Sequence, residues 1–229
     1  MGMLPGSRHA FRNRRTAVTI PAKPIRLYRH ALSGHAHRVE LFLSLLGLPC
    51  ELIAVDMVRG AHKAPDFIAK NNPFGQVPVI EDGDIAIADS NAILVYLATR
   101  YDSAGRWLPR DPVAAARVQL WLSVAAGQLA YGPSMARLAV LFGARLDLER
   151  AQAIGRQLYD VLDGYLIERR FLVGDTPTIA DIAVYSYTAH APEGGVSLDP
   201  YGHVRAWLAR IEALQGFVAM RRSAPPEQV

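Results

Sequence analysis

The first part of the chain alternates short apolar runs with one helical repeat. Residues 25–29 alternate apolar and polar positions, which is typical of a strand. Between His35 and Leu46 the apolar positions recur at mostly helical spacing, and Gly47 follows where a helix C-cap residue belongs. Residues 50–56 form a second apolar run. The pattern predicts a strand–helix–strand unit with parallel strands and a right-handed crossover.

A second group of short elements follows. The pattern predicts a short helix at 64–70, a turn at 71–75, strands at 77–80 and 84–88, and a helix at 90–101. An Asp82-Gly83 pair joins the two strands and favours an antiparallel hairpin. Asp89 and Ser90 are suitable caps for the helix that comes next. The predicted order is therefore βαβαββα.

The rest of the chain shows helical periodicity alone. Residues 104–111 contain Gly105 and Pro109, so we predict a linker there, between domains at 24–103 and 112–222. The predicted helices cover residues 113–142, 146–170, 178–190 and 201–213, with a possible short tail helix at 217–220. A bend is expected near Gly132-Pro133, because proline removes a backbone hydrogen bond. The second domain is thus predicted to be all-helical.

Composition and charge favour a soluble globular protein. The 229 residues are 51% hydrophobic and 20% charged, which is ordinary for a folded chain, and no apolar run is long enough to span a membrane. Residues 1–23 contain five basic residues and no acid, leaving 20 basic and 21 acidic residues elsewhere. We expect 1–23 to be a disordered basic arm, with a targeting presequence or phosphate-binding arm as alternatives. The near-neutral remainder favours neither a nucleic-acid partner nor a membrane surface.

Cys50 is the only cysteine. A single cysteine excludes an intramolecular disulfide and a Cys-x-x-Cys redox motif, and it favours a reducing, cytoplasmic location. We interpret Cys50 as a strand residue, with a reactive thiol as the alternative.

Three motifs resemble those of one family. Residues 72–79 (Asn-Pro-Phe-Gly-Gln-Val-Pro-Val) resemble the segment ahead of the third strand in cytosolic glutathione transferases. The pair Asp89-Ser90 resembles the acidic-Ser pair that opens their third helix, and Thr178 to Asp181 resembles their C-terminal capping box. We assign that box to folding and not to catalysis. The resemblance spans residues 25 to about 215 and is to the serine-type members.

This resemblance implies a fold and an activity. The fold class is an α/β thioredoxin-like N-terminal domain of order βαβαββα, followed by an all-α C-terminal helical bundle. The expected partners are glutathione as co-substrate, a small hydrophobic electrophile and a second copy in a homodimer. No cofactor and no metal are expected. The alternatives are a non-catalytic binding module of the same fold, or a glutathione-dependent peroxidase or dehalogenase.

The resemblance also implies a glutathione site. It places a cis peptide at Val77–Pro78, beside a Val77 backbone that pairs with the cysteinyl part of glutathione as an added strand. The alternative is an ordinary trans proline at a strand end. Lys63 is expected near the glycine carboxylate with help from Gln76, although a lysine on a surface helix is often merely solvated.

Asp89 and Ser90 are expected to hold the γ-glutamyl end. The Ser90 hydroxyl and the free amides of its helix would bind the carboxylate, while Asp89 accepts from the amine. Either residue could serve only as a helix cap, a role compatible with ligand binding.

Ser33 is the predicted catalytic residue. It lies between the first strand and first helix, as the active-site serine does in serine-type transferases, and its hydroxyl would donate to the glutathione sulfur. It could instead be only the N-cap of that helix. A histidine, foremost His35 but also His30 or His37, could donate in its place. Tyr28 is expected to face the core, although tyrosine-type relatives use a tyrosine nearby.

The second-substrate pocket is expected between the domains. Tyr131, Met135 and Leu138 are its predicted lining, with Trp121 and Phe142 as weaker candidates. Apolar residues at helical spacing are more often core than pocket, so both interpretations stay open.

Overall fold

The computed structural model describes residues 20–223, so the predicted basic arm at 1–23 lies almost entirely outside the described residues. The strands are β1 (Ile25–Arg29), β2 (Cys50–Ala54), β3 (Val79–Asp82) and β4 (Ile85–Ala88). The helices are α1 (Gly34–Leu45), α2 (Pro65–Lys70), α3 (Ser90–Tyr101), α4 (Pro112–Ala126), α5 (Met135–Phe142), α6 (Leu148–Leu166), α7 (Ile179–Ala189) and α8 (Gly202–Glu212). None of these helices is long and apolar enough to cross a bilayer.

The four strands form one sheet in the order β2-β1-β3-β4. β1 is parallel to β2 and antiparallel to β3, and β3 is antiparallel to β4, as the two predicted units require. β3 begins at Val79, two residues later than predicted, because Pro78 has no amide to contribute to the ladder. The predicted order βαβαββα followed by helices is confirmed.

The two faces of the sheet differ in burial. Ile25 and Leu27 of β1 are fully buried on the face covered by α1 and α3. Tyr28 alternates to the opposite face, where it is half-buried with its ring edge-on to Phe67 of α2, 6.2 Å between centroids. The expectation that Tyr28 faces the core is therefore wrong, because the period-2 alternation of a strand separates it from Leu27.

The long helix predicted at 113–142 is interrupted around Pro133, as expected from the proline. α4 ends at Ala126, a π-helical turn spans Ala130–Ser134 around Pro133, and α5 continues from Met135. The wider turn accommodates the ring and changes which residues share a face before and after it.

The predicted tail helix at 217–220 is wrong, and the tail crosses α1 instead. Gly216 has φ of 87°, and a Cβ there would lie 2.9 Å from the Ser44 carbonyl oxygen, so only glycine fits this close approach. The Ser44 hydroxyl donates to the Gly216 carbonyl over 2.7 Å, and the His37 ring lies 2.9 Å from the Val218 carbonyl. The Gly216 and Val218 carbonyls therefore pair with side chains of α1 and are not available for the hydrogen bonds of a tail helix.

One hydrophobic core runs through both halves of the chain. Trp107, from the predicted linker, packs edge-on against Phe42 of α1 with 5.2 Å between ring centroids. Its carbonyl also accepts from the Ile179 amide at the start of α7, 2.9 Å away. The segment between α3 and α4 is therefore irregular in backbone but anchored in the core.

The predicted capping box at the start of α7 is confirmed. Thr178 accepts from the Ala180 amide, and the Asp181 carboxylate accepts from the Thr178 amide over 2.8 Å. Asp181 also accepts from the Leu172 amide and from the Trp207 indole, each at 2.9 Å. The carboxylate is fully buried, so it organises the core as well as the helix end.

Candidate active site

Ser33 lies at the N-terminus of α1 with an extended backbone. Its Oγ accepts a hydrogen bond from the Ala36 amide over 3.2 Å, which is the geometry of an N-cap. The hydroxyl hydrogen has no acceptor within residues 20–223, so the cap leaves it free to donate elsewhere. The capping and donating roles weighed for Ser33 are therefore compatible.

Gly34 allows α1 to begin directly against α7. A Cβ at this position would lie 2.8–2.9 Å from three ring atoms of Tyr187, closer than real Cβ atoms approach. The absence of a side chain at Gly34 therefore fixes how near the Ser33 loop sits to the helical half of the protein.

His35 and His37, two of the histidines near Ser33, have different surroundings. The His35 ring packs edge-on against Tyr187, and its Nδ1 lies 3.4 Å from the Ser90 hydroxyl. Burial, together with the nearby Arg38 charge, lowers the pKa of His35 to about 3, so the ring is neutral at physiological pH. The His37 ring is held by Ser186 and the C-terminal tail. His35 therefore contacts the residue predicted to hold the γ-glutamyl end, and a neutral imidazole there carries no charge to stabilise a thiolate.

The Val77–Pro78 peptide is cis, as the resemblance implied. Within the described residues, neither the amide nor the carbonyl of Val77 forms a hydrogen bond. Lys63 contacts the loop that leads to Val77, because its Nζ donates to the Phe74 carbonyl over 2.9 Å. The exposed Gln76 is fixed through its carbonyl, which accepts from Asn72 over 3.0 Å. The segment from Phe74 to Val77 therefore combines unpaired backbone groups at Val77 with a cation held at Phe74.

Asp89 and Ser90 open α3. Asp89 has φ of 71°, and its Oδ1 accepts from the amides of Asn91 and Ala92 at 2.9 Å each, so it is the helix cap. Ser90 is buried at the first position of α3. Its hydroxyl also receives a long hydrogen bond from Arg38, 3.3 Å.

Arg38 was not identified from the sequence, where it occupies an unremarkable position within α1. The side chain is fully buried, and its Nη1 donates to Asn91 Oδ1 over 2.9 Å in addition to the Ser90 hydroxyl. Its Nε and Nη2 have no partner within residues 20–223. Burial lowers the pKa of the guanidinium to about 10, so it remains charged at pH 7. A buried cation with two unpaired donors therefore lies beneath the start of α3.

A cavity of about 290 Å³ opens beside the Ser33 loop. Its lining comprises Leu32, Leu141, Phe142, Arg221, Arg222 and Ser223. The predicted pocket residues Tyr131, Met135 and Leu138 do not line it. Tyr131 and Leu138 are 62% and 38% exposed, whereas Met135 is half-buried. Of the two weaker candidates, Phe142 borders the cavity and Trp121 is buried in the core.

Two family models match the chain. The model described as glutathione S-transferase, N-terminal domain, matches residues 23–99, and the model described as glutathione S-transferase, C-terminal domain, matches residues 142–215. The chain belongs to the glutathione S-transferase family. The earlier resemblance is thereby confirmed at the level of the family and its fold.

Individual glutathione S-transferases support the same assignment. Glutathione S-transferase 3 of Zea mays is 36% identical over 206 residues, covering 85% of this chain and 91% of its own. A crystal structure of a Pseudomonas fluorescens glutathione S-transferase superposes with a TM-score of 0.81 at 32% identity, covering 86% and 99% of the two chains. A homologue from Drosophila mojavensis, solved with bound glutathione, has a TM-score of 0.76 at 27% identity and covers 83% and 88%.

This glutathione S-transferase brings several of the predicted site residues together. The His35–Ser90 contact joins the Ser33 loop to the start of α3, and Lys63 meets the loop that leads to Val77. The predicted residues of the second-substrate pocket are not assembled with them. The chemical roles of these residues stay predictions.

Proposed function

We propose that this chain is a glutathione transferase in which Ser33 ionises the glutathione thiol and presents it to a small electrophile. The observation that carries the proposal is the free hydroxyl hydrogen of Ser33 at the N-terminus of α1. Lowering a thiol pKa from about 8.5 to about 6.5 requires about 2.7 kcal/mol. One hydrogen bond to the sulfur and the positive end of the α1 dipole together have that magnitude.

Glutathione would lie along the backbone at Val77, just before β3. The unpaired Val77 amide and carbonyl suit the cysteinyl part of the tripeptide, which would pair with them through hydrogen bonds of the β-ladder type. Lys63 and Gln76 would hold the glycine carboxylate. The bound glutathione of the Drosophila mojavensis homologue supports this class of ligand. Glutathione is consumed as a co-substrate in this scheme, and no further cofactor takes part.

The γ-glutamyl end would lie at the start of α3. Its carboxylate would accept from the Ser90 hydroxyl and the first amides of α3, and its amine would donate to Asp89. Arg38 strengthens this subsite from below, because a buried cation with two unpaired nitrogens attracts an anion. His35, neutral and beside Ser90, would help to shape the same end of the site.

The chemical step needs little from the protein once the thiolate has formed. The thiolate attacks the electrophilic carbon, a carbon–sulfur bond forms, and the leaving group departs with its electron pair. The thiol proton passes to solvent when glutathione binds.

Two substitutions at Ser33 separate catalysis from helix capping. Ser33→Ala removes both roles, whereas Ser33→Asp keeps a good N-cap but donates no hydrogen bond. We expect both variants to lose thiolate absorbance of bound glutathione at pH 7, and only Ser33→Ala to lose about 1 kcal/mol of stability. The exposed Ser103→Ala serves as the control. Unchanged thiolate absorbance in Ser33→Ala would move the role to His35 or to the helix amides.

The rival proposal is a non-catalytic glutathione-binding module of the same fold. Retention on immobilised glutathione without conjugation of any of several haloarenes would favour the module. Conjugation that depends on Ser33 would favour the enzyme. Peroxidase or dehalogenase activity would use the same thiolate with a different electrophile.

We also propose a homodimer, formed through a groove between α3 and α4. The groove has a volume of about 400 Å³ and is lined by Asn91, Ala92, Val95, Gln119, Leu122, Ser123 and Ala126. Leu120 on the same helix is 55% exposed and would add apolar surface for a second copy to cover. We expect the mass from analytical ultracentrifugation to be that of a dimer, and Val95→Glu to shift it to that of a monomer.

A cytoplasmic location is the remaining proposal. Cys50 is the single cysteine of the sequence, and a chain that forms no internal disulfide suits a reducing compartment. It lies within β2, where burial raises the pKa of its thiol to about 11, so it is a poor nucleophile. Fractionation of the producing cells tests the location.

A further inference from the structure

The cavity beside the Ser33 loop combines an apolar side with a cationic side. Leu32, Leu141 and Phe142 supply the apolar lining, and Arg221 and Arg222 supply the charge. At about 290 Å³ the cavity is near the lower limit of ligand pockets, which suits a molecule built on one ring. We propose that the electrophile of this enzyme carries an acid group on a small aromatic or apolar body, an inference that rests on the proposed transferase function.

The positive charges of Arg221 and Arg222 are not neutralised by acidic residues among the described lining of this cavity. Among residues 20–223, no aspartate or glutamate lines the cavity, and neither Arg221 nor Arg222 forms an ion pair. Glu193 is the acid that contacts the tail, and it is already held by Arg137 and His190 at 2.6 and 2.8 Å. An anionic ligand would therefore meet two available guanidinium groups.

The two arginines sit on a segment that is fixed on both sides. Before them, the Val218 carbonyl lies 2.9 Å from the His37 ring. After them, Ser223 donates its amide to Glu193 and accepts from Arg137, each at 3.2 Å. Because Ser223 uses its oxygen as an acceptor, its hydroxyl hydrogen is available to an anion. Anchors at 218 and 223 hold the arginines at the rim of the cavity.

The position of the cavity suits the second substrate. Leu32 belongs to its wall and directly precedes Ser33, whose hydroxyl would hold the sulfur. An acidic electrophile is repelled by a bare thiolate, and the two arginines offset that repulsion at the far end of the substrate. The ring carbon that bears the leaving group then faces the sulfur. Attack forms the carbon–sulfur bond and expels chloride with its electron pair.

A matched pair of substrates tests the charge preference. 4-Chloro-3,5-dinitrobenzoate and its methyl ester share a leaving group and differ in charge. We expect kcat/KM, divided by the uncatalysed rate constant with glutathione, to be higher for the acid than for the ester. In Arg221→Gln/Arg222→Gln the acid-to-ester ratio should fall about five- to tenfold, as expected for two exposed charge contacts. The exposed Arg205→Gln on α8 is the matched control.

The results separate this inference from the proposed function. Turnover of the ester with no preference for the acid, or an equal fall for both compounds in the double variant, would overturn the inference alone. Added salt provides a second readout, because screening should lower the acid-to-ester ratio in the wild type and not in the double variant. Absence of thiolate absorbance and of turnover for both compounds would overturn the proposed function itself.

Discussion

Arg137 donates a hydrogen bond from its Nη1 to the carbonyl oxygen of Leu32 over 2.6 Å. Arg137 belongs to α5, and Leu32 is the residue before Ser33. The same guanidinium binds Glu193 through Nε at 2.6 Å, and the side chain is buried. A helix of the C-terminal half therefore fixes the loop that carries the predicted catalytic hydroxyl.

Arg137→Met is expected to reduce both stability and activity. Removing one partner of a buried ion pair costs about 3 kcal/mol, because Glu193 loses its cation. The Leu32 carbonyl also loses its donor, so the Ser33 hydroxyl is placed less accurately and kcat falls more than glutathione affinity. Chemical denaturation and steady-state kinetics measure the two effects. The exposed Arg150→Met should match the wild type in both, and a purely structural role would leave kcat per folded molecule unchanged.

Gly34→Ala is expected to destabilise the protein by about 1–3 kcal/mol through overpacking. The added methyl would enter the Tyr187 ring, whose atoms lie 2.8–2.9 Å from the Cβ position. Tyr187→Leu in the same chain should recover part of the loss, which a double-mutant cycle measures by denaturation. Gly164→Ala in α6 meets nothing within 4 Å and should instead stabilise by roughly 0.5–1 kcal/mol. Equal effects at the two glycines would contradict the packing argument.

Asp181→Ala is expected to lower the free energy of unfolding by more than the loss of a helix cap does. The substitution removes the acceptor of four buried donors, the amides of Leu172 and Thr178, the Thr178 hydroxyl and the Trp207 indole, at about 1 kcal/mol each. Asp147→Ala, at the exposed cap of α6, should cost about 1 kcal/mol. Urea denaturation compares them, and the folded Asp181→Ala protein should still bind glutathione. Loss of binding at unchanged stability would instead assign Asp181 to the site.

Stability should decrease as the pH falls from about 6.5 towards 4, in part through His37. Burial lowers the pKa of this nearly inaccessible histidine to about 4, below its unfolded value of about 6.5, so the unfolded state binds more protons in this window. Between pH 7 and pH 5 this contributes a loss of about 2 kcal/mol. His37→Gln should lose correspondingly less over that interval, whereas the exposed His203→Gln should follow the wild type. Parallel losses in all three proteins would exclude His37 as the source.

The local patterns of the sequence were sufficient for most elements. The alternation at 25–29, the Asp82-Gly83 turn and the Thr178 cap each act over a few residues, and each is present in the structure. The prediction of a tail helix was wrong. The apolar residues at 217–220 suggested a helix, whereas the contact of Gly216 with α1 determines the backbone conformation of this segment. Local propensity cannot reveal a contact with Ser44, which lies 172 residues earlier in the chain.

The site was only partly predictable for a similar reason. Ser33, Val77 and Ser90 stand in recognisable motifs. The roles of Arg38 and Arg137 depend instead on contacts with residues far away in the chain: Ser90 is 52 residues from Arg38, and Leu32 is 105 residues from Arg137. The predicted pocket lining was taken from the inner face of the long helix, with a bend near Gly132-Pro133. The cavity instead lies at the C-terminal end of α5, between Leu141, Phe142 and the tail, and the tail is placed by contacts such as that of Ser223 with Glu193, which local patterns do not contain.

The placement of Trp107 limits how this protein can be divided. Because this residue joins Phe42 to the start of α7, cutting the chain between α3 and α4 would uncover apolar surface on both fragments. Neither fragment would then be a self-sufficient unit, and each would tend to aggregate when produced alone. Chimeras with other transferases should therefore exchange α1, Trp107 and α7 as one block.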